Sequence, residues 1–356
     1  MPSIYFTESS QLENFFNQLK KEFRVFAPVV KDPQAKVVDY YCQQALPETP
    51  LIYNAYRVVE PLKSFFTFPF EKAGDYFSVD KDISEIAEKT VLFGVKSCDI
   101  AGHKIQDFVF LEGVEVDNLY KLRRENSIFI SSDCTDFKEV CHCLAWEILP
   151  HPTVGFDLNL SPLNHGYLVE AGSIKGEELI HKHKANFIPA KETQISARKV
   201  KRDNFIDRLR RHLLPQNLVP RDRVQKVMKE AYNADTWKEF MLTCVECGGC
   251  NFICDTCHCF LLGDQKKGAL NSKVRVWDSC LYAGYARVAG GANPINTRAK
   301  RLRNRFMKKF DFFIDNLGLP ACCGCGRCIE VCPAKIDIRE VLKDADKKAN
   351  LVIGNQ

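Results

Sequence analysis

Two short cysteine runs in the C-terminal third constrain what this chain can fold around more than any other feature. The runs CVECGGCNFIC and CCGCGRCIEVC both contain the spacing Cys-x2-Cys-x2-Cys-x3-Cys, and Pro333 follows the second run. A disulfide needs a separation and a direction of two Cβ atoms that such close spacing rarely gives, so a compact cofactor that gathers several sulfurs is the better explanation. The spacing is the bacterial signature for [4Fe-4S] clusters, in which the fourth cysteine of each run ligates the cluster of the other run.

The interleaving of the two runs defines two predicted ligand sets. Site 1 comprises Cys244, Cys247, Cys250 and Cys332. Site 2 comprises Cys322, Cys325, Cys328 and Cys254. Glycines within both runs allow the positive φ angles and the close backbone approach that a loop wrapped around a cluster needs. Zinc is the alternative metal, but it takes four ligands and would leave half of these eight thiols without a role.

Two residues depart from the simple pattern of the runs. Asp255 follows the first run at the position where the second run has Pro333. A carboxylate and an additional amide donor at that position would shift the potential of the neighbouring cluster in opposite directions. Cys323 is the spare thiol of the second run, and we expect it to be a bystander.

The composition favours metal ligands over disulfides for the cysteines. The chain has 17 Cys among 356 residues, and its first residues lack a basic segment followed by an apolar run. No uncharged apolar stretch reaches the roughly 18 residues of a membrane span. These features predict a cytoplasmic protein without a membrane partner, in which thiols stay reduced and can bind soft metals. The formal net charge of +5 is mild and does not favour nucleic acid as a partner.

Four further cysteines lie at or after the ends of predicted strands. Cys98 follows the apolar run VLFGV, Cys134 follows SIFIS, and Cys141 and Cys143 come shortly afterwards in CHC. If the four converge, they can hold a third [4Fe-4S] cluster, and we call this set site 3. Inert thiols or a redox-active pair are the alternatives for these residues.

Three cysteines between the two runs belong to none of these sets. Cys257, Cys259 and Cys280 are either further ligands or packed thiols, because free cysteine is often buried. His258 and His142 lie between cysteines. We expect both imidazoles to be exposed to solvent, although His142 could instead hydrogen-bond a cluster sulfur.

The patterns along the chain predict an α+β fold in three parts. Residues 1–190 alternate helix-like and strand-like stretches and indicate an N-terminal α/β domain. Its predicted elements are a helix near residues 11–23, a helix through HKIQDFVF, and strands at RVFAPVV, VLFGV, SIFIS and GYLVEAG. Residues 191–240 are charged, helical and interrupted by two prolines, as expected of a connector. Residues 241–348 form the predicted α-helical ferredoxin-type domain with two clusters.

The segment between the two runs is much longer than a compact ferredoxin needs. Its stretch TRAKRLRNRFMKKFDFFIDNLG has apolar residues at helical spacing, followed by a glycine that can end a helix. These apolar residues are Leu302, Phe306, Phe310, Phe313 and Leu317. We therefore expect the whole insert to be helical.

The polar side of this predicted helix is strongly basic. It carries Arg298, Lys300, Arg301, Arg303, Arg305, Lys308 and Lys309. Such a face is usually solvated, but it can also dock an acidic partner or bind nucleic acid. Because each oxidised cluster with four thiolates carries a charge of roughly −2, part of this surface can also neutralise the clusters.

The sequence shows no fingerprint for a nucleotide cofactor. No G-x-G-x-x-G run follows a predicted strand, and no phosphate-loop motif is present. Clusters move single electrons whereas NADH delivers a hydride, so a flavin is needed to connect the two, and we expect FAD on a partner subunit. His181 and His183 in IHKHK do not share a helix face, and we predict a surface loop there. We identify no catalytic residues.

Longer stretches of the chain resemble a known family. The stretches are VLFGVKSCDIAGHKIQDFVF, CTDFKEVCHC, CVECGGCNFICDTCHCF, VWDSC, TRAKRLRNRFMKKF and CGCGRCIEVCP. Together they resemble the β subunit of cytosolic NiFe hydrogenases, also called sulfhydrogenases, and the related iron-sulfur subunit of anaerobic sulfite reductase. The likeness runs from about residue 90 to residue 345.

The resemblance implies an electron-transfer subunit rather than an enzyme in its own right. It would connect a flavin and NAD(P)H-binding subunit to a catalytic subunit of hydrogenase, sulfite reductase or heterodisulfide-reductase type. The eight cysteines of sites 1 and 2 match the family motif, and the family also has cysteines that match site 3. Asp255 departs from the proline usual in the family. The alternative function is a zinc or iron-sulfur module that binds nucleic acid through the basic helix at residues 298–309.

Overall fold

The computed structural model describes residues 3–32, 34, 36–45, 51–76, 88–267 and 270–353. The strands are β1 (Ile4–Glu8), β2 (Arg24–Asp32), β3 (Val37–Cys42), β4 (Phe70–Asp75), β5 (Thr90–Val95), β6 (Ser127–Ser132), β7 (Leu158–Leu163), β8 (Gly166–Ala171), β9 (Ile188–Pro189), β10 (Phe260–Lys267) and β11 (Leu270–Trp277). The helices are α1 (Ser9–Glu22), α2 (Ser97–Leu111), α3 (Asn118–Glu125), α4 (Ile174–Lys182), α5 (Glu192–Leu213), α6 (Arg221–Glu230), α7 (Thr236–Phe240), α8 (Gly249–Phe252), α9 (Arg298–Met307), α10 (Phe313–Leu317), α11 (Arg327–Glu330) and α12 (Ile338–Ile353).

Eight of these strands form one mixed sheet in the order β3-β2-β5-β6-β7-β8-β1-β9. The central strands β2, β5, β6 and β7 run parallel, and the outer pairs are antiparallel. The four predicted strands are confirmed as β2, β5, β6 and β8, and the two predicted helices are α1 and α2. The mixture of helices and sheets confirms the predicted α+β class.

Helices cover both faces of the central strands. Phe15 of α1 and Leu179 of α4 pack on one face together with Ile130 of β6. Tyr120 of α3 packs on the other face against Phe129, the neighbour of Ile130 along β6. Every residue of β6 is buried, which explains why Ile128, Phe129 and Ile130 in its middle are all apolar instead of alternating with charged residues.

The parallel strands bring two cysteines to one edge of the sheet. β5 and β6 are adjacent and parallel, so their carboxyl ends lie side by side. Cys98 lies in the first turn of α2, directly after β5, and Cys134 follows β6. This edge is where open parallel sheets bind their ligands.

A second sheet corrects the prediction of an all-helical insert. β10 and β11 form an antiparallel hairpin within the insert, and β4 from the N-terminal region pairs with β11 as a third strand. An isolated hairpin is marginal in water, so pairing with β4 stabilises a structure that the insert alone would not specify. The predicted domain boundaries at residues 190 and 240 stay a prediction. The pairing of β4 with β11 connects the N-terminal region to the cysteine-rich region.

The predicted helix at the end of the insert is present, with one irregularity. α9 continues through a π-helical turn at Lys308–Phe312 into α10, and Gly318 caps the end of α10 with a φ of 69°. Leu302, Phe306 and Phe310 are all buried against α6, α7 and α12. The first three residues of the predicted apolar stripe therefore pack in the helical layer, whereas Phe313 and Leu317 are only partly buried.

The connector region contains helices α5 to α7. α5 ends just before Pro215, and Pro220 precedes the first residue of α6, so both predicted breaks are confirmed. Val224, Val227 and Met228 of α6 are buried in the same cluster as α12. In the described part of the chain, no helix has both the length and the apolar character that a membrane crossing requires.

The IHKHK stretch is not a surface loop. His181 lies in the last turn of α4, and His183 follows that helix with only 8% of its surface exposed. The imidazole of His183 packs edge-on against Phe15 and shares a hydrogen bond of 2.8 Å with the side chain of Gln18. The predicted surface loop is wrong because α4 extends through this stretch and turns His183 toward α1.

A buried arginine ties the N-terminal region to the second cysteine run. The Arg327 guanidinium, 1% exposed, donates to Asp99 Oδ1 at 2.6 Å and to Asp255 Oδ2 at 3.0 Å. It also donates to the carbonyl oxygen of Val58 at 2.9 Å. Burial raises the pKa of Asp255, and Arg327 opposes this shift. Asp255 thus takes the place of the usual proline because its carboxylate completes this ion-pair network.

We expect the substitution Arg327→Met to destabilise the fold strongly. Methionine keeps much of the side-chain volume but leaves two buried carboxylates without a cation, and breaking a buried pair in this way costs about 3–5 kcal/mol. Anaerobic thermal unfolding is the measurement. The matched control is Arg210→Met, which removes an exposed pair with Asp207 and should cost less than about 1 kcal/mol. Equal shifts of the two unfolding temperatures would contradict the assigned role of Arg327.

Candidate metal centres

The cysteines of site 1 line one cavity. Cys244, Cys247, Cys250 and Cys332 all border it, and Cys328 of site 2 joins them. The other walls are mainly apolar and include Val245, Leu281, Leu302, Phe306, Pro333, Ala334, Ile336 and Ile338. Cys247 is exposed, so this centre lies close to the protein surface.

Backbone amides point at the sulfurs of site 1. The amide N–H of Glu246 donates to Cys244 Sγ at 3.4 Å, and that of Ile336 donates to Cys332 Sγ at 3.4 Å. Gly248 has a φ of 73°, and a Cβ atom there would lie 2.9 Å from the Tyr282 hydroxyl. The glycine is therefore required both by the backbone conformation and by the close approach of the neighbouring loop.

The structure also brings the four cysteines of site 2 together. The thiol of Cys328 interacts electrostatically with Cys254, Cys322 and Cys325. Burial raises the pKa of Cys322 to about 11 and also raises the pKa of Cys328. The spare thiol Cys323 is buried, and its hydrogen bond to Cys325 lowers the pKa of Cys325 to about 6.

Cations of the basic helix face the cysteines rather than solvent. Lys309 is 4% exposed and donates to Cys254 Sγ at 3.4 Å and to Thr256 Oγ1 at 2.7 Å. Arg305 is 5% exposed and donates to Asn251 Oδ1 at 2.9 Å, beside Cys250. The expectation of a solvated face is wrong for these two residues and for Arg301.

The inward stripe of cations could have been predicted from its spacing. Arg301, Arg305 and Lys309 recur every fourth residue, so they lie on one side of the helix. They run directly beside the apolar stripe that starts at Leu302. Positive charges next to a buried stripe, in a chain with two thiolate sets, indicate charge compensation inside the fold.

The cysteines of site 3 lie where the N-terminal sheet meets the second run. Cys143 interacts electrostatically with Cys134 and Cys141, and Cys98 interacts with Cys134. Burial raises the pKa of Cys134 to about 12, although the ammonium group of Lys96 opposes the shift. All four predicted residues of this set therefore lie close together.

Sites 2 and 3 are in direct contact through the backbone. The amide N–H of His142 donates to the carbonyl oxygen of Gly324 at 2.8 Å. A Cβ atom on Gly324 would lie 2.6 Å from Cys143 Cα, so only glycine fits at this position. Cys325 of site 2 interacts electrostatically with both Cys98 and Cys141. The two predicted centres thus share one wall.

The histidines next to cysteines are not exposed as expected. His142 is 2% exposed, its Nδ1 lies 2.9 Å from the carbonyl oxygen of Val140, and burial lowers its pKa to about 4. His258 is half-buried and packs edge-on against Phe313. The prediction for His142 is wrong because the CHC segment is folded under the second run.

The donor chemistry of the three sites suits iron-sulfur clusters. Each set offers four thiols and no carboxylate, which is the ligand type of [4Fe-4S] clusters. Within the described residues, no group of three or more Cys, His, Asp or Glu side chains is arranged to hold a single metal ion.

Two comparisons with known proteins bear on these sites. A family model described as a 4Fe-4S dicluster domain matches residues 243–336, which include both cysteine runs. The Sulfhydrogenase 2 subunit beta of Pyrococcus furiosus is 32% identical over 340 residues, which cover 94% of this chain and 96% of that protein. The likeness therefore includes the N-terminal sheet as well as the dicluster domain, and it supports iron-sulfur clusters in this chain.

We expect Lys309→Met to lower the reduction potential of one cluster. A cation beside a cluster stabilises the reduced, more negative state, and its loss should shift the potential by on the order of 100–200 mV at an effective dielectric constant of about 20. A redox titration followed by low-temperature paramagnetic resonance measures the shift. Lys300→Met is the control, because Lys300 lies on the same helix and bonds to Asn296. An unchanged potential in Lys309→Met would exclude a cluster beside Cys254.

Proposed function

Because the chain belongs to the family of sulfhydrogenase beta subunits, we propose that it relays single electrons in a cytoplasmic hydrogenase-type complex. The dicluster domain makes it an iron-sulfur electron-transfer protein. In the proposal, one neighbour is a subunit that binds FAD and NAD(P)H, and the other is the catalytic subunit. The name of the relative favours a hydrogenase over the sulfite reductase and heterodisulfide-reductase alternatives.

The contiguity of the three cysteine sets carries the proposal. Cys328 of site 2 borders the site 1 cavity, and Cys325 of site 2 interacts with two cysteines of site 3. Site 2 therefore lies in the middle of a series. Such a series supports a relay through the subunit, with site 1 at one end, where Cys247 is exposed.

The residues of the chain itself set the conditions for electron transfer. [4Fe-4S] clusters, when bound, supply one-electron redox chemistry, and their potentials depend on burial, nearby charge and hydrogen bonds to sulfur. Lys309 places positive charge beside site 2, and the amide of Glu246 donates to a sulfur of site 1. The walls of the site 1 cavity are mainly apolar. We assign no catalytic residue to this chain.

The burial of the cations weighs against the nucleic-acid alternative. A nucleic-acid surface needs basic side chains that can reach phosphates. Arg301, Arg305 and Lys309 are buried, and Arg301 is paired with Glu246. The remaining basic residues of the helix form a smaller surface than the sequence suggested.

Iron analysis tests the number of clusters. We expect about twelve irons per chain in anaerobically purified protein, because three clusters hold about four irons each. Cys134→Ser and Cys141→Ser should each reduce the content to about eight irons. Cys42→Ser is the control, since Cys42 lies half-exposed on the edge strand β3 and belongs to no site. About eight irons in the unmodified chain, unchanged in both variants, would leave two clusters and reject site 3.

Addition of NADPH tests whether the chain receives its electrons through a flavin on a partner subunit. The purified chain should stay oxidised when NADPH is added, because it has no flavin to split the hydride into single electrons. Addition of the flavin subunit should then bleach the visible absorbance of the clusters. Release of flavin from the isolated chain would overturn the proposal. Reduction of the clusters by NADPH in the absence of the flavin subunit would also overturn it.

A further inference from the structure

A cysteine pair outside the three sites lies at the open end of the β10–β11 hairpin. Cys259 directly precedes β10, and Cys280 follows β11. The hairpin register continues past the strands, since the amide N–H of Asp278 donates to the carbonyl oxygen of Cys259 at 2.9 Å. The two thiols are within hydrogen-bonding distance of each other. The backbone therefore holds two sulfurs together that are 21 positions apart in the sequence.

The surroundings of the two thiols are strongly asymmetric. Tyr285 hydroxyl lies 3.4 Å from Cys259 Sγ, and Lys308 Nζ donates to that hydroxyl at 2.8 Å. Because the tyrosine oxygen accepts from Lys308, its own proton is free to point at the sulfur. Cys259 is partly exposed, whereas Cys280 is only 3% exposed.

This asymmetry separates the acidities of the two thiols. The hydrogen bond from Cys280 and, secondarily, Lys308 and Tyr285 lower the pKa of Cys259 to about 5 against the opposing effect of burial. The hydrogen bond to Cys259 and burial raise the pKa of Cys280. His258 also favours the Cys259 thiolate, and the carboxyl group of Asp278 is the acidic group that faces it. A partly exposed thiolate next to a buried thiol is the arrangement of attacking and resolving cysteines in thiol–disulfide exchange.

We propose that Cys259 and Cys280 form a redox-active dithiol–disulfide pair that reacts with low-molecular-weight disulfides. The Cys259 thiolate attacks one sulfur of the small disulfide and releases one thiolate, which takes up a proton. Cys280 then loses its proton, attacks Cys259 Sγ in the mixed disulfide and releases the second small thiol. One S–S bond breaks and one forms, so the small disulfide is reduced by two electrons and the pair is oxidised by two. Excess small thiol reverses the exchange.

The neighbouring Cys257 differs from this pair. Its sulfur hydrogen-bonds to Cys254 of site 2 and lies 3.7 Å from Asn251 Oδ1. It therefore faces the clusters, while Cys259 faces Tyr285. The proposed exchange does not depend on the relay function, because it uses only thiols of this chain and a small disulfide.

Disulfide mapping tests the proposal on the full-length protein. Anaerobic protein is incubated with oxidised glutathione, remaining thiols are alkylated, and tryptic peptides are examined by mass spectrometry. Trypsin cleaves at Lys273 and Arg275, so Cys259 and Cys280 fall in separate peptides. We expect a cross-linked peptide pair in the unmodified chain. In Cys280→Ser the reaction should stop at the mixed disulfide between Cys259 and glutathione. Cys259→Ser should form neither this mixed disulfide nor the cross-link.

Controls separate this proposal from the relay. Cys257→Ser should keep the cross-link, and Cys259→Ser should keep its full iron content. Loss of iron from Cys259→Ser would make Cys259 a cluster ligand and overturn the proposal without affecting the relay. Complete alkylation of both thiols after glutathione treatment would also overturn the proposal. The same holds if bound zinc protects the two thiols from alkylation.

The pH dependence of alkylation gives a second readout. The rate of Cys259 alkylation by iodoacetamide should be nearly constant between pH 6 and pH 8 in the unmodified chain, because the thiolate dominates throughout. Tyr285→Phe removes the hydroxyl donor and should reduce the rate at pH 6 by about tenfold for each unit by which the pKa rises above 6. Tyr282→Phe is the matched control, since the Tyr282 hydroxyl donates to the carbonyl oxygen of Cys247 instead. Equal rates in both variants would refute the assigned role of Tyr285.

Discussion

Compensation of buried thiolate charge by buried cations is the interaction on which the rest of this structure depends. Each cluster with its four thiolates carries roughly −2, and an uncompensated buried charge is very costly. The chain therefore turns Arg305 and Lys309 inward. Burial alone would lower the pKa of Lys309, but the thiolates of Cys254 and Cys257 raise it overall. By contrast, burial lowers the pKa of Lys96, whose ammonium group bonds to neutral oxygens of Ser132 and Asp133.

The same requirement explains why an α/β sheet is joined to the dicluster region. Parallel strands β5 and β6 deliver Cys98 and Cys134 to one sheet edge, and the second run packs directly on that edge. Arg327 closes the junction with two carboxylates, one from each side. The sheet thus acts as a rigid support that holds one set of thiols against another, which keeps the proposed centres at fixed separations.

Local patterns predicted much of this arrangement, and long-range contacts account for the errors. Three features depend only on residues that are close in the sequence, so their patterns can be recognised there. They are the cysteine spacing, the apolar stripe from Leu302 and the buried strand β6. The hairpin was missed because its third strand, β4, lies almost 200 residues away. The burial of His142 was missed because it depends in part on a contact with Gly324, which is distant in the sequence. Arg301, Arg305 and Lys309 recur every fourth residue, which is visible in the sequence. Which face of the helix turns toward the thiolates depends on tertiary packing, which the sequence does not show.

Asn251 lies between site 1 and the proposed redox pair of Cys259 and Cys280. Its side-chain amide donates to Cys280 Sγ at 3.3 Å, and its carbonyl oxygen accepts from Arg305 at 2.9 Å beside Cys250. A hydrogen bond from a neutral amide stabilises negative charge on the sulfur that accepts it, so this bond favours the Cys280 thiolate that attacks in the proposed exchange. The proposed thiol exchange and the proposed relay are therefore adjacent in space, although their chemistry is separate.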